Sequence, residues 1–510
     1  MQDMFPESIE AADSFPALLH AIAAEFGDMV AVRLEEDGTP VASLSFSQLE
    51  RDSAELAKGL VARGVGKGTR IGFIIGNNVA FVVTLAAIAR IGAVAIPFST
   101  LIKADEMVRT LRQSDVAGLF VQRELLGYDL VERLCDALPA LRETSDPDLR
   151  LARTPYLRWI ISSGPSLPPT IREIDFLTDV AGSVSEELLA EIEAEVHATD
   201  QAVEIYTSGS MALPKGVRHD HGPLMFRSRY LRDMQDIKPG QDRALNQPMF
   251  WVGGLMMALM PALAGGAVHV CAERAPTNSL MAMGSVLTDE DLARYSQART
   301  HWGLGMSETL GPYSYGDILR APGYPLCAPL DHIAERYEVR VADEHDQPVG
   351  DGEIGEIQIR GYAVTPRLHK IERSRFFTAD GFYHTGDMGL VEGSRINFVG
   401  RNGDMIKTAS ANVSPAEVES EMQQLEEVHS AYVVGLPDAQ RGQLVAAAVV
   451  PRDGVELDFA AIEEKLRRRL SSYKVPRVYV AITRDEVPML FSNKVARRQI
   501  EALLISRLGR

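Results

Sequence analysis

Between residues 47 and 121 the chain alternates helix-length amphipathic runs with short apolar runs. No other feature restricts the fold as much. Ser47 to Arg63 carries apolar residues at helical spacing and stops at Gly64. Arg70 to Gly76 is a short β-rich run, and Val79 to Arg90 is helical again. Ala93 to Pro97 and Val116 to Val121 are two further short apolar runs. Strands separated by helical crossovers lie side by side in parallel, because an antiparallel neighbour needs only a hairpin. The pattern therefore predicts an α/β fold on a largely parallel sheet. Ser183 with Glu186 reads as a capping box that opens a helix through His197. Residues 144–172 are rich in Pro, Ser and Arg and read as irregular.

The texture changes after about residue 335. Tyr337 to Ala342, Glu356 to Arg360 and Arg395 to Val399 alternate with period two between Gly, Asp and Pro, which predicts an antiparallel β-subdomain. Beyond Met405 helix and strand mix again. Ser414 to Leu425 is a helix with Pro415 in its first turn, Ala431 to Gly435 and Leu444 to Val450 are strands, and Phe459 to Leu470 is a basic-ended helix. A chain of 510 residues exceeds one core. The expected organisation is a large N-terminal domain over 1–402, made of parallel-rich βαβ subdomains plus a β-subdomain, then a small mobile α+β domain over 403–510. The joint is expected at Arg401 to Asp404.

The net charge of -18 disfavours nucleic acid and anionic lipid as main partners. An anionic substrate then needs a local basic site. The three cysteines, Cys135, Cys271 and Cys327, are far apart and fit neither a disulfide frame nor a zinc site, so a reducing cytoplasm fits best. The first sixteen residues lack the basic start of a signal peptide. The most apolar stretches, 79–98 and 252–272, are interrupted by Arg90 and Pro97 and by Pro261, Gly265, Gly266 and His269. They read as buried helix–strand pairs and not as membrane spans.

Four polar runs carry candidate chemistry. Tyr206-Thr-Ser-Gly-Ser-Met-Ala-Leu-Pro-Lys-Gly216 concentrates hydroxyls, glycines and a lysine after an apolar strand, a loop able to wrap phosphate oxygens. It lacks Walker A spacing, and a plain polar turn is its bland alternative. Tyr383-His-Thr-Gly-Asp387, followed by Phe398-Val-Gly-Arg401, sets a carboxylate at a Gly turn where it can hold vicinal ribose hydroxyls. A β-turn aspartate is the alternative. Gly305-Met-Ser-Glu-Thr309 offers Glu308 to a hard cation such as Mg²⁺, or is simply a surface acid. Val487-Pro-Met-Leu-Phe-Ser-Asn-Lys494 ends in a lysine that means nothing alone. His219-Asp-His221 reads as a turn or helix start, with a metal pair as the lesser option.

In this order the runs resemble the adenylate-forming superfamily of acyl-CoA synthetases, firefly luciferase and peptide-synthetase adenylation domains. Ile91-Gly-Ala-Val-Ala-Ile-Pro97, Asp404-Met-Ile-Lys407 and Asn412-Val-Ser-Pro-Ala-Glu-Val-Glu419 extend the likeness over nearly the whole chain. The resemblance implies that ATP, Mg²⁺ and CoA act with a small carboxylic acid. It implies that Thr207, Ser208, Gly209, Ser210, Lys215 and Gly216 hold phosphates. Glu308 would bind Mg²⁺, and Ser307 would lie near the α-phosphate. Asp387 would take the ribose, with Arg401 beside it and Lys407 nearby. Lys494 would reach from the small domain to the reacting carboxylate and α-phosphate. Phe250, Trp251, Gly253 and Gly254, in a Met-rich run without charged residues, would line a pocket for a hydrophobic aliphatic or aromatic acid. A homodimer is one option for assembly.

Several positions depart from the family pattern. Met211-Ala212 replaces Thr-Gly in the phosphate loop, Gly403 replaces a charged hinge residue, Ser410 replaces a Gly near the pantetheine path, Asn493 replaces the Gly before the lysine, and Leu304 stands where an aromatic usually stacks on adenine. The stretch from Arg274 to Arg299 has no clear counterpart to the family's strand–helix units. Three readings follow: an acyl-CoA synthetase, a catalytically impaired homologue that binds nucleotide or a partner, and an adenylating enzyme that loads a separate carrier protein.

Overall fold

The computed structural model describes all residues except 1–4, 101, 103, 145, 147, 208–214, 245–246, 274–301, 317–331, 394, 402–405, 409–410, 414, 439–441, 471–473, 490–494 and 510. The chain divides into two compact units. The first holds Met1–Ser279, Gly305–Gly311 and Tyr362–Arg375; the second holds Leu280–Leu304, Pro312–Gly361 and Phe376–Arg510. The fold is α/β, as the alternation predicts.

The first unit is built on a seven-stranded sheet. By first residue the strand order is Lys215, Gln201, Val94, Arg70, Gly118, Trp159, Ile171. All neighbours pair in parallel except the first two. The helix Val79–Arg90 matches its sequence reading at both ends: Asn78 caps it by accepting from the Phe81 N–H, and Gly92 follows at φ 68°. Two expectations fail. Residues 144–172 contribute the strands Trp159–Ile161 and Ile171–Arg172, so the stretch is not wholly irregular. The helix Glu186–Ala194 is capped by Ser185 and not by Ser183, whose hydroxyl instead donates to the Val180 carbonyl.

A second, four-stranded sheet in this unit runs Asp242–Arg243, Val268–Cys271, Val30–Glu36, Thr39–Ser45. The helix layer is locked by Arg90, which is fully buried. Its guanidinium donates to Glu193 at 2.5 Å, to the Glu50 carboxylate at 2.7 Å and to the Ser53 hydroxyl at 2.8 Å. His20 bridges the same two carboxylates at 2.7 and 3.1 Å. Its hydrogen bond to Glu193 first, then that to Glu50, lifts the imidazole to about 9, and the bond from His20 holds Glu50 down to about 2. The arginine that breaks the apolar run 79–98 is thus the hub of a buried charge cluster.

The second unit contains an antiparallel meander, Tyr337–Ala342, Ile354–Gly361, Tyr383–Glu392 and Arg395–Arg401, paired in chain order. The C-terminal sheet centres on Val428–Asp438 and Gly442–Pro451. Period two puts their residues on opposite faces. Ala431, Val433, Val445, Ala447 and Val449 pack with Val418, Met422, Ile462 and Leu466. Val434, Leu436, Leu444, Ala446 and Ala448 pack with Ile500 and Leu504. The helices Pro415–Gln423 and Phe459–Arg467 thus pack against one core and Arg497–Leu508 against the other. Among the described residues no helix is long and apolar enough to cross a membrane.

Candidate active site

Thr207 ends the strand Gln201–Thr207 and Lys215 begins Lys215–Asp220, and the two are register partners. They close a loop whose residues 208–214, including Ser208, Gly209, Ser210, Met211 and Ala212, lie outside the described residues. Gly216 has a local reason to be glycine: a Cβ there would come within 2.5 Å of the Glu204 carboxylate. Glu204 is fully buried and paired with Arg70 at 2.5 Å. The Gly216 carbonyl accepts from the His369 N–H at 2.8 Å.

Ser307 and Glu308 sit on a 3-10 turn, Ser307–Thr309, that the same unit draws against the exit strand of this hairpin. The His219 imidazole bonds the Ser307 carbonyl through Nε2 at 2.7 Å. A carbonyl only accepts, so Nε2 carries the proton. Burial pushes this ring down to about 4, and it stays neutral near neutral pH. Thr365 grips the turn from a third segment: its N–H donates to the Glu308 carbonyl at 2.7 Å, and its hydroxyl reaches the Arg218 carbonyl at 2.7 Å. Leu310, just after, adopts φ 49°, ψ 48°. A non-glycine residue there costs about 1–3 kcal/mol. Two buried hydrogen bonds at about 1 kcal/mol net each are of the size needed to offset it. Glu308 itself is 7% exposed, which removes the surface-acid alternative. A buried hard oxygen donor suits Mg²⁺ chemically.

His219 and His221 do not form a shared centre. His221 accepts from the Phe15 N–H through Nδ1 at 3.1 Å, so each ring ties down a different backbone segment. The run is a helix start, as its sequence reads: Asp220 precedes the helix His221–Met234. Thr365 gave no signal at all in sequence.

Asp387 belongs to the second unit and is 5% exposed. It lies within the strand Tyr383–Glu392 and not at a turn. Gly386, at φ 72°, accompanies an irregularity in the ladder, which re-aims the next side chain. The Thr385 hydroxyl accepts from the Asp387 N–H at 3.0 Å, and Arg401 is the register partner of Asp387 in the backbone ladder. Lys407 pairs with Asn412 in the backbone ladder. Lys494 lies outside the described residues. Three residues on in sequence, Arg497 forks onto Glu419 at 2.6 and 2.9 Å, and Glu419 also accepts from the Val433 N–H at 2.7 Å. Glu419 ends the run that begins at Asn412, so its place in that motif is structural.

Phe250 and Trp251 meet edge to face, centroids 5.0 Å apart, before a π-helix, Gly253–Leu259. A Cβ on Gly254 would meet the Pro248 carbonyl oxygen at 2.2 Å. Asn77, missed in sequence, pins this corner: its amide donates to the Gln247 carbonyl at 2.8 Å and accepts from the Met249 N–H at 2.9 Å. The Met-rich run is therefore partly core, since Met256 and Met260 are fully buried, and partly an aromatic corner.

The AMP-binding enzyme profile matches residues 19–288, and that of the AMP-binding enzyme C-terminal domain matches 417–494. The chain belongs to the AMP-binding enzymes of the adenylate-forming superfamily. A feruloyl-CoA synthase of Amycolatopsis sp is 27% identical, with 90% of this chain and 93% of that protein covered. An indoleacetate–CoA ligase of Aromatoleum aromaticum is 25% identical, with 91% and 94% covered. Among solved structures, the anthranilate CoA ligase AuaEII, bound to anthranoyl-AMP, superposes at TM-score 0.76 with 20% identity and 98% of each chain covered. The amide bond synthetase McbA from Marinactinospora thermotolerans gives TM-score 0.75, with 20% identity and 96% and 99% covered.

Proposed function

We propose that this AMP-forming acid–thiol ligase activates a hydrophobic carboxylic acid, aliphatic or aromatic, as its adenylate and passes the acyl group to CoA. The observation that carries the reading is the gathering of the 207/215 hairpin and the buried Glu308 turn in one unit. Thr207, Lys215 and the 208–210 backbone would hold phosphates, and Glu308 would hold Mg²⁺, which screens phosphate charge when bound. Asp387 and Arg401 would hold the ribose. Lys494 would place a cation on the oxygen where charge grows as the carboxylate attacks phosphorus, the interaction that lowers such a barrier. The aromatic corner at Phe250 and Trp251 supports an apolar acid, and relatives named for ferulate and indoleacetate lean it toward an aromatic one. A boundary near 402/403 between a large and a small domain, and a cytoplasmic setting, complete the proposal.

Purified protein incubated with ATP, Mg²⁺ and a panel of aromatic and aliphatic acids should release pyrophosphate, and acyl product should require CoA. No release with any acid, alongside measurable ATP binding, would select the impaired homologue. Release without any effect of CoA would select transfer to a separate carrier.

A further inference from the structure

The strand that leaves the phosphate loop has two faces. Val217 and His219 are buried on one, and Lys215 shares it by period two. Arg218 is on the other. Val217 forms an antiparallel bridge with Leu368, which is buried as well. In that register Arg218 stands opposite Arg367, and their side chains leave the pair on the same side. The Thr365 hydroxyl fixes the arrangement, lying 2.7 Å from the Arg218 carbonyl and 2.8 Å from that of Arg367. Two like charges directly opposite on neighbouring strands repel.

Asp220 and Glu204 attract the Arg218 guanidinium from a distance, but neither forms an ion pair with it. Glu204 is taken by Arg70 at 2.5 Å, and Asp115 by Lys370 at 2.6 Å. Asp220, two residues along the same face, forms no ion pair with either arginine. Among the described residues neither guanidinium has a carboxylate partner, and the Arg218 Nε is buried without a hydrogen bond. Burial first, then the charge of Arg367, depresses the Arg218 guanidinium. In a chain of net charge -18, an arginine pair with no bonded carboxylate is a place where an anion can bind.

We propose that Arg218 and Arg367 form a second anion site, on the opposite face of the strand from Lys215, which takes a phosphate group of the CoA co-substrate. Lys215 and its loop serve ATP in the functional reading above, and CoA is the other phosphorylated substrate, so the assignment rests on that reading. Guanidinium pairs suit the planar, multidentate recognition of phosphate oxygens.

The test compares CoA with dephospho-CoA and with pantetheine, using full-length protein and the best acid from the panel. Arg218→Met and Arg367→Ala should each raise the KM for CoA about 10- to 100-fold, the range for a hydrogen bond to a charged group. The KM for ATP in the CoA-free adenylation step should stay within about twofold. The parent's preference for CoA over one of the truncated thiols should collapse in the variants, and which thiol shows it locates the phosphate. Arg218→Lys should recover part of the loss. Arg367 is exposed, so its variant tests the idea even if Arg218→Met does not fold. A raised KM for ATP instead of CoA would reassign the pair to the triphosphate and overturn the proposal. So would unchanged discrimination among the thiols by an active variant. A parent that forms adenylate but no CoA product would sink the ligase reading itself, a separate outcome.

Discussion

The two units secure their acids by different means. Glu308, in the first unit, sits on a strained turn held by His219 from 88 residues away and by Thr365 from a third segment. Asp387, in the second, rides on a strand whose ladder partners follow one another along the chain. The contrast extends to the neighbours of the two acids. In the first, Arg90 reaches Glu193 across 103 residues, Arg70 reaches Glu204 across 134, and Asn77 reaches Gln247 across 170. In the second, the meander pairs each strand with the next. A residue placed by register is robust to the loss of any one side chain. A residue placed by distant side chains depends on each of them.

The contrast can be broken or sharpened by measurement, and the largest effect belongs to the buried hub. Arg90→Ala strips the buried guanidinium from Glu193 and Glu50, leaving them only the half-exposed His20, and should destabilise the protein by about 3 kcal/mol in urea unfolding. A loss below about 1 kcal/mol would show that the long-range ties are ornamental. Glu308→Gln should lower the rate of adenylate formation about 10²- to 10³-fold with folding intact, the usual toll of removing one placed group. Retention of the parent rate would take Glu308 out of the site. Asp387→Asn should act mainly on nucleotide affinity, raising the ATP concentration for half-maximal rate about tenfold or more. If its effect fell on kcat alone, the ribose role would be untenable.

The smallest effect is the pH response of the His20 cluster. His20 is raised from 6.5 to about 9, so its contribution is complete below 6.5 and fades as pH climbs through 9. Glu50 is lowered from 4.5 to about 2, so its contribution is complete above 4.5 and fades as pH falls through 2. The cluster stabilises most between 4.5 and 6.5. Half of the His20 side chain is exposed, so the change should be a few degrees of melting temperature at most. His20→Asn should flatten the alkaline decline; a decline of equal slope in the variant would place its cause elsewhere.

Legibility in the sequence follows the same division. The helix Val79–Arg90 was readable because its signals are local: an Asn cap, an apolar periodicity and a following glycine. The strands at 159–161 and 171–172 were missed because three- and two-residue strands leave no periodicity to read, and only their sheet neighbours make them strands. Asp387 was singled out but placed on a turn, since a bulge at Gly386 carries the same glycine signal. For Glu308 the motif was visible while its support was not. His219 and Thr365 act through backbone carbonyls, whose identity no side-chain pattern records.

The C-terminal sheet has one further consequence. Among the described residues, the apolar clusters on both of its faces draw on residues 406–508. A segment that fills both sides of its sheet with its own apolar residues carries much of what a separate core needs. If the boundary proposed near 402/403 holds, the last hundred or so residues, expressed alone, should melt cooperatively.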